Sequence, residues 1–83
     1  MKLGIYSLKR ALFQGEAESL NCRTENGEIT VLDGHRPLIS VLESGALKIV
    51  DADKKEVYIP ISSGFLAVHA GSEVKLIVEE GAA

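Results

Sequence analysis

The stretch "LISVLESGALKIVDADKKEVYIPISSGFLAVHAGSEVKLIVE", from Leu38 to Glu79, makes up about half of an 83-residue chain and carries its clearest rhythm. Apolar residues recur at every second position in the runs LISVL, ALKIV, EVYIPI, FLAVHA and VKLIVE, divided by ESG, DADKK, SSG and GS. A period of two is the repeat of strands, whose side chains alternate between faces; a helix would show 3.6. The β-branched residues in these runs favour strands as well, and Pro60 with the DADKK segment interrupts the longest glycine-free interval.

Upstream the pattern continues. KLGIY sets Leu3 and Ile5 on one face, and LFQGEAESLNC carries Gly15 where a bulge or strand break would fall before Leu20 and Cys22 share a side. NGEITVLDG predicts a strand from Glu28 to Leu32 between two turn signals, Asn26-Gly27 and Asp33-Gly34. Many short strands at even spacing predict an all-β flattened barrel or sandwich of about eight to ten strands, one domain over residues 1–83, with no helix. The apolar phases place Leu3, Ile5, Leu20, Cys22, Val31, Leu47, Ile49, Phe65, Val68, Leu76 and Val78 in the core.

Composition narrows the function. A chain this short holds one small core, and 46% hydrophobic residues with only two Tyr, two Phe and no Trp make that core aliphatic. A net charge of −3 with scattered Lys and Arg argues against nucleic acid, which needs a basic patch. The single cysteine, Cys22, has no internal disulfide partner and suits a reducing compartment. No apolar run approaches the ~20 residues of a membrane span, and the N-terminus lacks the apolar centre of a signal peptide, so the chain is expected in the cytoplasm.

The candidate chemical groups are sparse. Asp51 and Asp53 lack the further oxygen ligands of a calcium loop and read as a solvated hairpin turn. Ser62 and Ser63 precede a glycine but lack the strand-turn-helix setting of a nucleophile elbow. His35, His69 and Cys22 are too few, and too scattered, for a structural zinc site or a triad. Cys22 reads as a packed, inert thiol. Lys54 and Lys55, at a hairpin tip, resemble the lysine turn of lipoyl carrier domains, although the half-to-half symmetry of those domains is not visible. His35, in VLDGHRPLIS, reads from the residues alone as an exposed turn histidine or as a contact group.

Six elements in order, Phe13-Gln14-Gly15, Asn26-Gly27-Glu28, Gly34-His35-Arg36-Pro37-Leu38, Gly45-Ala46-Leu47-Lys48-Ile49, Ser62-Ser63-Gly64-Phe65-Leu66-Ala67-Val68 and Val74-Lys75-Leu76-Ile77-Val78, give the chain a wider resemblance. Together they resemble the N-terminal β-sandwich of the epsilon subunit of F-type ATP synthases over nearly the whole chain. Thr30 stands where that family usually has glycine, Asp33 where it has proline, Arg36 where it has a small residue and Ser63 where it has a second glycine. The family's C-terminal helical pair has no counterpart in the 83 residues.

The resemblance implies a ten-stranded sandwich and a non-catalytic central-stalk subunit. Such a subunit joins the synthase gamma subunit to the polar loops of the membrane c-ring and supports ion-coupled ATP synthesis. It implies no cofactor, no metal and no nucleic-acid partner, and a peripheral place on the cytoplasmic face of a bacterial inner membrane, reached only through the complex. Carried onto this chain, the ring contact falls on Glu28, His35 and Arg36, and the gamma contact on Ser7, Ser40 and Leu42. A chain complete at Ala83 is expected to lack the inhibition that the family's helices impose. The alternative class is a lipoyl-type carrier modified at the hairpin lysine.

Overall fold

Alternating apolar residues produce strands throughout the computed structural model, which describes residues 1–81. Seven strands follow one another: β1 (Lys2–Tyr6), β2 (Ala11–Thr24), β3 (Gly27–Leu32), β4 (Leu38–Leu42), β5 (Gly45–Asp51), β6 (Glu56–His69) and β7 (Glu73–Glu80). No helix occurs among the described residues. The expected strands are present, but β2 and β6 are each 14 residues long and serve both layers of the sandwich, so seven strands do the work of more.

The pairings show how. The first half of β2 lies antiparallel to β1, β1 runs parallel to β7, β7 pairs with the second half of β6, and that half pairs with β4. The second half of β2 pairs with β3 on one side and β5 on the other, and β5 pairs with the first half of β6. Thr24 and Leu42 join β2 to β4 and bring the two layers together along one side. The molecule is flattened, measuring 30 × 27 × 21 Å.

Both long strands slip register where they cross between layers. In β2 the slip falls between Ala17 and Ser19, just after Gly15; in β6 it falls between Ile61 and Ser63. A bulge bends a strand and admits one unpaired residue, which lets a single strand leave one sheet and enter another. SSG therefore bends a strand and does not divide two. Gly64 follows the bend because β7 passes too close for a side chain: a Cβ there would lie 2.7 Å from the Ile77 carbonyl oxygen.

Between the layers lies an aliphatic core. Leu3, Ile5, Leu20, Cys22, Val31, Leu47, Ile49, Val68, Leu76 and Val78 are buried as expected, with Ala17, Leu42, Ile61, Leu66 and Val74 among them. Phe65 is a correction: it is 60% exposed. Ahead of the bulge, Val57, Ile59 and Ile61 face inward, and the inserted residue reverses the parity so that Leu66 and Val68 face inward after it. Phe65 is thereby turned out to solvent.

Candidate functional site

The outward face of the β1, β7, β6 and β4 layer is where the fold leaves apolar surface uncovered. Cross-strand register puts Val41 opposite Phe65, Phe65 opposite Ile77 and Ile77 beside Tyr6. Ile39 precedes Val41 on the same phase of β4, and all of Ile39, Val41, Phe65 and Ile77 are exposed. The turn after β1 closes one end of this stripe with Leu8, which is 99% exposed. Between them runs a groove of about 750 Å³ lined by Ser7, Leu8, Val41, Phe65 and Ile77, with Lys9, Glu79 and Glu80 at its polar margin.

Ser7 earns its place in the turn. Its hydroxyl accepts hydrogen bonds from the Lys9 and Arg10 amides, both at 3.2 Å, and its own amide donates to the Arg10 carbonyl at 2.9 Å. Arg10 then reaches across to Glu80 with an Nη2–Oε1 distance of 2.7 Å. Through that hydrogen bond and the charge behind it, Arg10 holds the Glu80 carboxyl below the usual carboxylate range.

Of the expected gamma-side residues, Ser7 lines the groove. Ser40 lies half-buried on the inward phase of β4. Leu42 is a correction: at 2% exposure it belongs to the core, because strand alternation that turns Ile39 and Val41 out turns Leu42 in. Sequence reasoning placed Phe65 in the core, and the signal that turns it out is the parity reversal across the β6 bulge, whereas Val41 and Ile77 face outward by the plain alternation of β4 and β7.

The expected ring-side residues lie on β3 and the loop after it, in the other layer's edge. Glu28 sits near the start of β3, opposite Arg23, and is exposed. His35 and Arg36 lie beyond the other end of β3. At ~3.3 Å per residue the length of the strand, on the order of 15 Å, separates them, so the two do not form one cluster. β3 pairs only with β2, leaving the other edge of the strand free among the described residues.

The loop of His35 is shaped by a tight turn. The His35 amide donates to the Leu32 carbonyl at 3.1 Å, and Gly34 at the third position has φ +80°, the backbone of a type II turn that only glycine adopts readily. The His35 ring Nδ1 lies 2.7 Å from the Arg36 carbonyl. A carbonyl only accepts, so Nδ1 carries the hydrogen.

The remaining candidates are occupied structurally. Asp51 Oδ1 accepts from the amides of Asp53 and Lys55, both at 2.9 Å, which closes the β5–β6 hairpin. Lys54 pairs with Glu18 at 2.9 Å. Burial pushes the Cys22 thiol up to about 11.

These features define a class: a small β-sandwich whose prominent surfaces are an apolar groove with a charged margin and a free strand edge flanked by an ordered loop. The chain belongs to the family described as ATP synthase, delta/epsilon chain, beta-sandwich domain, which matches residues 1–82. It is 40% identical over 72 residues to the ATP synthase epsilon chain of Bordetella avium, covering 87% of this chain and 51% of that one. It is 37% identical over 70 residues to that of Streptomyces avermitilis, covering 84% and 56%. The chain thus spans about half the length of these relatives.

Among solved structures, one chain of the Euglena gracilis mitochondrial ATP synthase assembly, comprising OSCP, F1 and c-ring, is similar with a TM-score of 0.90 and 26% identity. That likeness covers 96% of this chain and 51% of the other. A chain of the Tetrahymena thermophila mitochondrial ATP synthase central stalk and c-ring shares the fold, with a TM-score of 0.81 at 19% identity over 96% and 63% of the two chains.

Proposed function

We propose that the chain is a non-catalytic rotor subunit of an F-type ATP synthase that fastens the gamma subunit to the c-ring, so that ion flow and ATP synthesis turn together. The observation that carries this reading is the apolar stripe of Val41, Phe65 and Ile77 across one sheet face, ringed by Ser7, Lys9, Glu79 and Glu80. An apolar centre with an aromatic anchor and a polar rim is the anatomy of a protein interface. The occupant is the gamma subunit, seated on the groove with Phe65 as its anchor, beside Ser7 and the β4 strand that carries Ser40.

The ring contact uses a different surface. The free edge of β3 lies along the polar loops of the c-ring, with Glu28 at one end and His35 with Arg36 at the other. This subunit is peripheral and meets the membrane only through the complex, on the cytoplasmic face in a bacterial cell. It acts by stiffness: torque passes from one surface to the other through the hydrogen-bonded ladder of the sandwich, and no cofactor or metal takes part. The family membership, and the pairing of Lys54 with Glu18, leave the lipoyl-carrier alternative without a supporting observation.

The test is co-expression with the gamma subunit of the same synthase. The wild-type chain is expected to co-purify with gamma, and Phe65→Asp to lose roughly a hundredfold in affinity, as removal of an anchor residue does, while keeping its melting temperature. Normal gamma binding by a folded Phe65→Asp chain would rule out the groove as the docking surface.

A further inference from the structure

The loop that carries His35 is fastened from two distant points of the chain. The turn at Asp33-Gly34 meets the β6–β7 turn, where the Gly34 amide donates to Ser72 Oγ at 3.0 Å. It also meets the start of the chain, where the Met1 ammonium lies 3.4 Å from Asp33 Oδ1 and 3.5 Å from Glu16 Oε2 and donates to the Ala17 carbonyl at 2.9 Å. Ser72 faces both ways, since its carbonyl accepts from the Lys2 amide at 2.8 Å. The Ser72 hydroxyl first, and the Met1 ammonium second, hold the Asp33 carboxyl below the usual carboxylate range.

Two further observations point to a built device. Ser72 has φ +58°, a conformation uncommon for any residue with a side chain, where glycine would sit without strain. A serine stands at a position that favours glycine, and its hydroxyl is the group that holds Gly34. Asp33 is the second residue of the turn from Leu32 to His35, which with Gly34 at φ +80° is the site where proline presets the backbone.

From this we infer that Asp33 and Ser72 are positioning residues: with the Met1 ammonium they form a polar clamp that fixes the His35 loop, supplying the stiffening that a proline at the second position of such a turn would give. A proline restrains one dihedral angle locally. The clamp restrains the loop by tying it to the β6–β7 turn and to the start of β1, so loop order depends on residues almost 40 positions apart in sequence. The clamp stands on its own geometry; its consequence for coupling rests on the reading of His35 as a ring contact.

Hydrogen exchange of the Gly34 and His35 amides, followed by NMR in the full chain, tests it. Ser72→Gly relieves the backbone and removes the hydroxyl, so the melting temperature is expected to hold or rise while exchange at Gly34 quickens at least tenfold. A residue serving stability alone would move both together. Asp33→Ala is expected to quicken exchange at His35, and Asp33→Pro to restore its protection. Unchanged exchange at Gly34 in Ser72→Gly, or no recovery on going from Asp33→Ala to Asp33→Pro, overturns the inference. In the assembled synthase, Asp33→Ala and His35→Ala are each expected to lower ion-coupled synthesis. Faster exchange in Asp33→Ala, with coupling intact in both variants, upholds the clamp and removes the ring reading instead.

Discussion

Full burial of a phenylalanine is worth about 1.5–3 kcal/mol, and Phe65 leaves most of that unclaimed within the chain. Its neighbour Leu66 is fully buried. Phe65→Ala is therefore expected to change stability by no more than about 0.5 kcal/mol, the range of an exposed substitution, whereas Leu66→Ala opens a cavity and costs on the order of 2–5 kcal/mol. Urea titration of the two variants separates them, and a large loss in Phe65→Ala would place the aromatic ring back in the core. Cys22 offers a second check at this scale. With its thiol pushed up to about 11 by desolvation, the reactive thiolate is scarce at neutral pH. A thiol reagent is expected to react with the unfolded chain at once and with the native chain only at the rate of opening.

Among the elements, β6 joins the two layers, and its bend depends on Gly64 passing β7. Gly64→Ala places a methyl 2.7 Å from the Ile77 carbonyl and 2.9 Å from a Val78 side-chain carbon, so β7 must shift. A loss of about 1–3 kcal/mol is expected, typical of overpacking, measured as a lower urea midpoint at an unchanged slope. A second element contact, Arg10 with Glu80, fastens the β1–β2 turn to the end of β7. Because the folded-state Glu80 carboxyl is held down, its contribution is present above the ordinary carboxylate range and disappears as pH falls through the lowered titration. Glu80→Gln is expected to melt below wild type at neutral pH and to converge with it in acid. The pair is exposed, so the gap is small.

Period-two alternation made every strand readable in advance, since each run between turn residues buries one phase. What sequence does not display is continuity. Ser62-Ser63-Gly64 has the composition of a turn and the geometry of a bulge, and only the pairing to β7 distinguishes them. The same missing residue count hid the orientation of Phe65, and with it the groove. Leu42 was misplaced for a related reason, because a motif position carries no face. The clamp at Asp33 was out of reach, as Met1, Asp33 and Ser72 meet only once the sandwich closes.

At the scale of the whole molecule, the groove and the β3 edge belong to different layers, and the groove and the His35 loop lie at opposite ends of the sheet. The β4 ladder makes this explicit: Leu38, just after the loop, pairs with Val68 near the β6–β7 turn, while Leu42 pairs with Gly64 beside the groove. A body with two separated surfaces joined by a continuous ladder transmits force without titrating or moving a group. The two surfaces should then fail separately. Phe65→Asp is expected to release the chain from gamma and abolish ion-coupled synthesis altogether. The double variant Glu28→Lys with His35→Ala changes only exposed or half-buried positions outside the core, so the fold is retained. It is expected to stay bound to gamma while synthesis falls relative to ATP hydrolysis in reconstituted vesicles. Each half of that expectation is exposed to failure: release from gamma by the double variant would merge the two surfaces into one, and full coupling with both residues changed would take the ring contact away from the β3 edge.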